Sequence, residues 1–235
     1  MKCVVVANIA GGVGKTTTAH ALAVAAAEYG KKVLLIDADP SGALTFCCGI
    51  ENPRVTTLEF MSGTYSLDAS AVKSAERFSL VPASSRLASI DINTALDNAT
   101  LTQVLKDYDL VVVDTATGPN RIMTYFLGIA DLVLCPTTTE IISIRGVLHV
   151  KNFSDVLDKK NQFRVLISGS YEEDNEALKH LRQDFSVMEP AIHRDDAVAH
   201  SQTSGRSVLS EFRNSLVAAD YREITYSILE ELSLM

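Results

Sequence analysis

Between an apolar run, Cys3–Ala7, and an alanine-rich helical pattern, Thr16–Tyr29, the chain reads Ala10-Gly11-Gly12-Val13-Gly14-Lys15-Thr16-Thr17. A glycine loop joining a strand to a helix N-terminus constrains the fold more than any other stretch here. Glycines let backbone N–H groups converge on one point, and the helix dipole makes that point attractive to an anion. A bare structural turn has no use for a lysine and a hydroxyl residue at the helix start. A triphosphate does: Lys15 reaches the β- and γ-phosphates and the Thr16 hydroxyl sits on Mg²⁺. Gly11, Gly12, Val13, Gly14 and Thr17 complete the predicted nucleotide cradle.

The rest of the chain alternates in the same way. Strand-type runs at Cys3–Ala7, Val33–Ile36, Phe78–Pro82, Leu110–Val113, Leu132–Cys135, Val165–Ile167 and Val187–Ile192 are separated by other segments. Helical patterns fall at Thr16–Tyr29, Leu101–Lys106, Ile141–Leu157, Glu173–Phe185 and Leu216–Leu232. Several runs are continuously apolar, which suits strands buried on both faces of a parallel sheet. The expectation is an α/β fold: one doubly wound domain over residues 1–235, a mainly parallel sheet flanked by helices, of the P-loop NTPase type. Residues 49–76 are the least regular and are predicted to form a short helical excursion.

With 235 residues, 47% hydrophobic and 21% charged, the chain has enough apolar sequence for a large core. No apolar run approaches the roughly 20 residues of a membrane span. The N-terminus lacks the cleavage region of a signal peptide, so a cytoplasmic location is expected. A net charge of −8 means that nucleic-acid contact needs a local basic patch. Cys3, Cys47, Cys48 and Cys135 form no C-x-x-C pair and read as packed thiols.

Two further strands end in acids. Val33–Ile36 runs into Asp37-Ala38-Asp39-Pro40, and Leu110–Val113 runs into Asp114-Thr115. Strand ends beside a glycine loop are where open α/β sheets bind ligands. Alternation puts Asp37 and Asp39 on one side and Ala38 on the other. Adjacent carboxylates repel unless a cation or polarised water lies between them.

Together these segments resemble the ParA/MinD family of deviant Walker A ATPases. The loop matches K-G-G-x-G-K-[ST], although the signature lysine is Ala10 here and the glycine of an ordinary P-loop is Ile9. Asp37-Ala38-Asp39-Pro40 resembles Walker A′, D-x-D-P; the resemblance gives Asp39 the attacking water and Asp37 the Mg²⁺ shell. Asp114 resembles the Walker B acid that holds Mg²⁺ through water. The loop after it, Ala116-Thr117-Gly118-Pro119, departs from the usual D-T-P-P. Cys135-Pro136-Thr137-Thr138-Thr139-Glu140 parallels a P-x-x-P-E stretch. Ile192-His193-Arg194 parallels an I-P-R segment that lies near the adenine. Gly205–Leu209 and Tyr221-Arg222-Glu223 parallel later landmarks, so the resemblance runs from about residue 2 to residue 232. A basic residue that often serves DNA binding is Ala197 here.

The resemblance implies ATP and Mg²⁺, a nucleotide-sandwich homodimer, and slow hydrolysis stimulated by an adaptor (McdB- or ParB-like). It also implies non-specific DNA binding on the nucleoid. Lys179, Arg182, Arg206, Arg213 and Arg222 are the DNA-contact candidates. Absence of the signature lysine is similar to the family's carboxysome-distributing subgroup, the McdA ATPases, which use a lysine in the C-terminal half. On the helix Ile141–Leu157, one predicted stripe is Ile142, Gly146, Val150, Phe153 and Leu157; Ile144, Val147, Leu148 and Lys151 fall opposite. Lys151 is therefore the candidate trans cation, with Arg121 and Arg145 as competitors. A lysine that snorkels beside neighbouring helices is the alternative.

The function expected is an ATP-driven positioning switch, for a carboxysome or for a plasmid or chromosome. Three other readings carry discriminating features. A MinD-like membrane switch needs a basic C-terminal helix, but Tyr221–Met235 carries Glu223, Glu230 and Glu231 against Arg222. A redox ATPase like the nitrogenase iron protein needs cluster-ligating cysteines, and this set does not resemble them. A scaffold without turnover would lack Asp39.

Overall fold

Strand β1 (Lys2–Val6) occupies the interior of the sheet and explains why this chain needs apolar strands without alternation. Val4 and Val6 enter the core on one face, Cys3 and Val5 the core on the other. The computed structural model describes residues 1–157, 161–169 and 176–235. The elements are β1, α1 (Lys15–Glu28), β2 (Val33–Ala38), α2 (Ala43–Cys47), α3 (Thr57–Met61), α4 (Leu67–Ser70), β3 (Val72–Lys73) and β4 (Ser79–Val81). They continue with α5 (Asn98–Leu105), β5 (Leu110–Thr115), α6 (Arg121–Leu127), β6 (Leu132–Thr137), α7 (Ile141–Val156) and β7 (Gln162–Ser168). Last come α8 (Glu176–Asp184), β8 (Val187–Ile192), α9 (Ala197–Thr203), α10 (Val208–Glu211) and α11 (Leu216–Glu231).

The strands form one sheet in the order β3-β4-β2-β5-β1-β6-β7-β8. All pairings are parallel except β3 with β4. One face packs against α1, α9, α10 and α11, the other against α3 to α8. The predicted doubly wound α/β fold is therefore the fold observed. The 49–76 excursion contains α3 and α4. Residues 173–175 of the predicted Glu173–Phe185 helix lie outside the described residues; the described part begins at Glu176.

Sequence periodicity misread α7. Its buried residues are Ser143, Gly146, Val147, Val150 and Ser154, whereas Ile141 and Ile142 are 69% and 71% exposed. Val147, placed on the opposite stripe, is on the core side. The reason is local. A Cβ at Gly146 would come within 1.9 Å of Asn8 Oδ1. Small residues, not large apolar ones, face the sheet where the helix backbone approaches the strand so closely. Helix α6 and strand β3 went unpredicted, the first because its seven residues carry no clear period, the second because it has two.

Candidate nucleotide site

The glycine loop turns into α1 at Gly14, which caps the helix with φ 87°, a left-handed conformation that favours glycine. Space is not the constraint: an added Cβ would meet Ser168 Oγ at 3.5 Å, an ordinary contact. Ser168, at the end of β7, donates to the Val13 carbonyl at 2.7 Å and ties the loop to the sheet. Lys15 is only 6% exposed, and its Nζ donates to the Ala10 carbonyl at 2.8 Å. Burial lowers its pKa, opposed by the charges of Asp114 and Asp39. A lysine held under its own loop is poised to move to a phosphate that enters the cradle.

Asp37 and Asp114 lie side by side on β2 and β5, in register, and both are fully buried. Asp37 Oδ2 accepts from the Thr45 N–H and hydroxyl at 2.8 and 2.6 Å, and Oδ1 accepts from the Asp39 N–H at 3.0 Å. Burial still pushes its pKa up, to about 6. Burial raises Asp114 further, with the Asp37 charge adding to it. One Asp114 oxygen accepts from the Thr16 hydroxyl at 2.8 Å. The other, Oδ1, is buried with no hydrogen-bond partner among the described residues. That orphan oxygen, the Thr16 hydroxyl and two buried carboxylates make an oxygen-donor set that fits Mg²⁺, which takes few protein ligands and keeps waters and phosphate oxygens. Asp39, half-buried just beyond β2, accepts from the Ser41 N–H at 2.8 Å and stands beside this set.

A cleft of roughly 460 Å³ runs from Gly12, Gly14 and Thr17 to His193, Arg194 and Tyr221. Its volume falls within the usual range of small-molecule sites. The structure thus brings the predicted loop residues and the predicted His193–Arg194 segment onto one cavity. His193 is fixed through Asp220, whose Oδ2 accepts the His193 N–H at 2.9 Å and lies 2.7 Å from Nδ1. Gln202 of α9 donates to the Thr17 hydroxyl at 3.1 Å. Asp220, Gln202, Thr45, Ser168 and Asn8 escaped the sequence reading. Only Asn8 carried a signal, as a polar residue between an apolar strand and the glycine loop.

Other predicted residues are not brought together. Lys151 lies about 15 Å along α7 from Ile141 at the helical rise of 1.5 Å per residue. Its Nζ pairs with Asp155 and sits 5.9 Å over the ring of Phe163, at the start of β7. The nucleotide loops of the same chain are at the C-terminal ends of the strands, and the contact expected of Lys151 is with the phosphates of a partner subunit. Periodicity could place it on a stripe but not at an end of the sheet. Arg121 and Arg145, both exposed, flank those loops. The Gly118 N–H before α6 donates to Ile9 O, and Gly146 abuts the Ala10 amide. The DNA candidates divide between two layers. Lys179 and Arg182 are on α8, beneath one face; Arg206, Arg213 and Arg222 belong to the α9–α11 layer on the other. Arg182 pairs with Glu189, Arg206 with Glu211, and Arg222 with Glu28. The cysteines pack as expected: Cys3, Cys47 and Cys135 are buried, and burial raises the Cys47 thiol to about 11.

Comparison with known proteins agrees with this geometry. A profile described as AAA domain, AAA_31, matches residues 1–166. An uncharacterised ATP-binding protein of Methanocaldococcus jannaschii is 34% identical over 157 residues, covering 65% of this chain. The chain spans 59% of that relative's length, and 56% of a similar Mycobacterium tuberculosis protein. The chromosome partitioning protein ParA of Caulobacter vibrioides is 27% identical over 231 residues, covering 89% of this chain and 86% of its own. The structure of Cyanothece McdA superposes with a TM-score of 0.83 at 22% identity, covering 97% of this chain and 99% of that one. At that identity the likeness speaks for the fold.

Proposed function

The chain belongs to the AAA_31 family and, within it, to the ParA/MinD ATPases, and from that premise we propose that it is an ATP-dependent dimerising switch. In this reading residues 1–235 are one ATPase domain that binds nucleoid DNA non-specifically as an ATP homodimer. An adaptor protein stimulates slow hydrolysis, and the cargo is a carboxysome. The observation that carries the ATPase core is the orphaned Asp114 Oδ1 beside Thr16 at the foot of the phosphate loop.

The residues divide the work by position. The loop N–H groups from Gly11 to Thr17 bind the phosphates, and Lys15 leaves Ala10 to neutralise the β- and γ-oxygens. Thr16 and Asp114, with Asp37 beside Asp114 in register, would hold Mg²⁺, and a bound metal would supply neutralisation of phosphate charge. Asp39 orients the attacking water. His193, steadied by Asp220, and Arg194 bind the far end of the nucleotide. The exposed Ile141, Ile142 and Leu148 on α7, next to the loop, suit a surface that is covered when two subunits close.

Size-exclusion chromatography with ADP or with ATP and Mg²⁺, followed by a DNA shift assay at several salt concentrations, tests the reading. A monomer in both nucleotides, or equal DNA affinity in both, contradicts it. Chromosome or plasmid partition is the second reading, favoured by the near full-length match to ParA. A membrane switch is disfavoured because α11 buries Tyr221, Ile224, Ile228 and Leu229 in the core. No described helix is long and apolar enough to cross a membrane.

A further inference from the structure

One buried amide side chain joins the phosphate loop to α7. Asn8 follows β1 and is fully buried. Its Oδ1 accepts the Ala10 N–H at 2.9 Å. Its Nδ2 donates to the Pro136 carbonyl on β6 at 2.8 Å and to the Ser143 carbonyl in the first turn of α7 at 3.2 Å. Gly146 leaves the space that Asn8 fills, since a Cβ there would overlap Oδ1. On the other side of the same residue, the Ala10 carbonyl accepts Lys15 Nζ. The chain of contacts is therefore continuous: Lys15, the Ala10 residue, Asn8, α7.

We propose that Asn8 is a positioning residue that transmits the engagement of Lys15 with phosphate to the exposed apolar turn of α7. The inference rests on the nucleotide reading above. A phosphate oxygen carries negative charge, so it offers Lys15 a bond between two ionised groups, whereas the Ala10 carbonyl is neutral. Lys15 then leaves the Ala10 carbonyl. Ala10 loses one of its two tethers and keeps only Asn8. Asn8 has no slack, being close-packed under Gly146 and bonded at both ends, so a shift of Ala10 is carried to the Ser143 turn. Ile141 and Ile142 at the start of α7 are both exposed. A small rotation of this turn redirects an apolar pair beside the nucleotide rim. Packed interiors pass such shifts on because they have few voids to absorb them.

The test compares parent, Asn8→Ala and Asn8→Asp, the last keeping the acceptor for Ala10 but losing both amide donors. ATP affinity is measured by calorimetry with Mg²⁺, and backbone hydrogen exchange of residues 141–150 is measured with and without ATP. In the parent, ATP is expected to change exchange across α7. Both variants are expected to bind ATP within about threefold of the parent, the scale of one neutral hydrogen bond, and to lose the α7 response. A merely structural role for Asn8 would change exchange equally with and without ATP. If α7 of the parent ignores bound ATP, or either folded variant responds as the parent does, the proposal is overturned. If the parent shows no ATP binding in calorimetry, the nucleotide reading itself has failed, a result separate from an α7 that stays silent while ATP is bound.

Discussion

Asp37 and Asp114 occupy the same register on adjacent strands β2 and β5, fully buried, where their charges repel. Both pKa values are raised, so the sign of the pH effect follows. A carboxyl whose folded pKa is raised adds stability that is complete below its unfolded pKa and is lost as pH rises through the folded value. For Asp37 the window runs from 3.8 to about 6, and two pKa units correspond to about 3 kcal/mol. Above that window the pair strains the nucleotide-free protein. Asp114→Asn removes one charge and keeps an acceptor for Thr16. Its Tm at pH 8 is expected to exceed the parent's by about 2–4 °C for each kcal/mol relieved, with the gap narrowing at pH 5. Mg²⁺ with ATP is expected to raise the parent's Tm far more than the variant's. A variant less stable than the parent at pH 8 would show that the pair is not strained.

Asp39 differs from that pair. It is half-buried, lies past the end of β2, and among the described residues its carboxylate accepts from the Ser41 N–H. Replacing its side chain by a methyl group leaves the Asp39 N–H bond to Asp37 and the Thr16 hydroxyl bond to Asp114 in place. Asp39→Ala is expected to bind ATP as the parent does and to lose turnover by about 100-fold or more, the scale of general-base loss. Parental turnover in a phosphate-release assay removes Asp39 from the mechanism.

Lys15 contributes through contacts that change partner. Lys15→Ala is expected to lower ATP affinity by about 10-fold to 100-fold, from the 1.5–3 kcal/mol of a charged hydrogen bond. Calorimetry reads the difference directly, and undiminished affinity refutes the assignment.

Much of this site was legible because its parts are adjacent in sequence. Gly11 to Thr17 is one loop, and Asp37 and Asp114 each end an apolar run that any parallel sheet aligns. His193 and Arg194 were found only through a resemblance. The supporting shell was not legible. Asn8 meets Ser143 across 135 residues and Ser168 meets Val13 across 155. Ordinary polar residues acquire such roles from tertiary contact alone. Helix α7 shows the same limit: its bounds were legible, but which of its faces is buried depends on how closely it packs on the sheet.

Arg222 and Arg213 illustrate how the DNA proposal divides. Arg222 donates to Glu28 and to the Arg213 and Leu209 carbonyls, pinning α11 to α1 and α10. Arg222→Ala is expected to lower Tm, with any DNA defect following the loss of fold. Arg213 is exposed. Arg213→Ala is expected to leave Tm unchanged and to reduce the slope of log affinity against log salt by about one. Identical salt slopes for parent and Arg213→Ala take Arg213 out of the DNA surface.

The last prediction concerns the cation that faces the partner's triphosphate in the proposed dimer, now that Ala10 stands where the family has lysine. Three cations compete for that place. Lys151 is one, ion-paired with Asp155 and set over Phe163 at the start of β7. Arg121 begins α6 directly after the loop held to Ile9, and Arg145 precedes Gly146 at the Ala10 amide. Both are exposed, and a guanidinium binds phosphate in a bidentate way. Arg121→Ala or Arg145→Ala is expected to weaken ATP-driven dimerisation by about 10-fold or more, from a charged hydrogen bond of about 1.5–3 kcal/mol. Monomer affinity for ATP should hold, because neither arginine touches its own phosphate loop in the hydrogen bonds observed. Lys151→Ala is expected to weaken dimerisation by the same factor if Lys151 is the residue that makes the trans contact. Analytical ultracentrifugation of the three variants with ATP and Mg²⁺ decides between them. Loss of the dimer in Lys151→Ala alone assigns the trans contact to Lys151 and removes Arg121 and Arg145 from it.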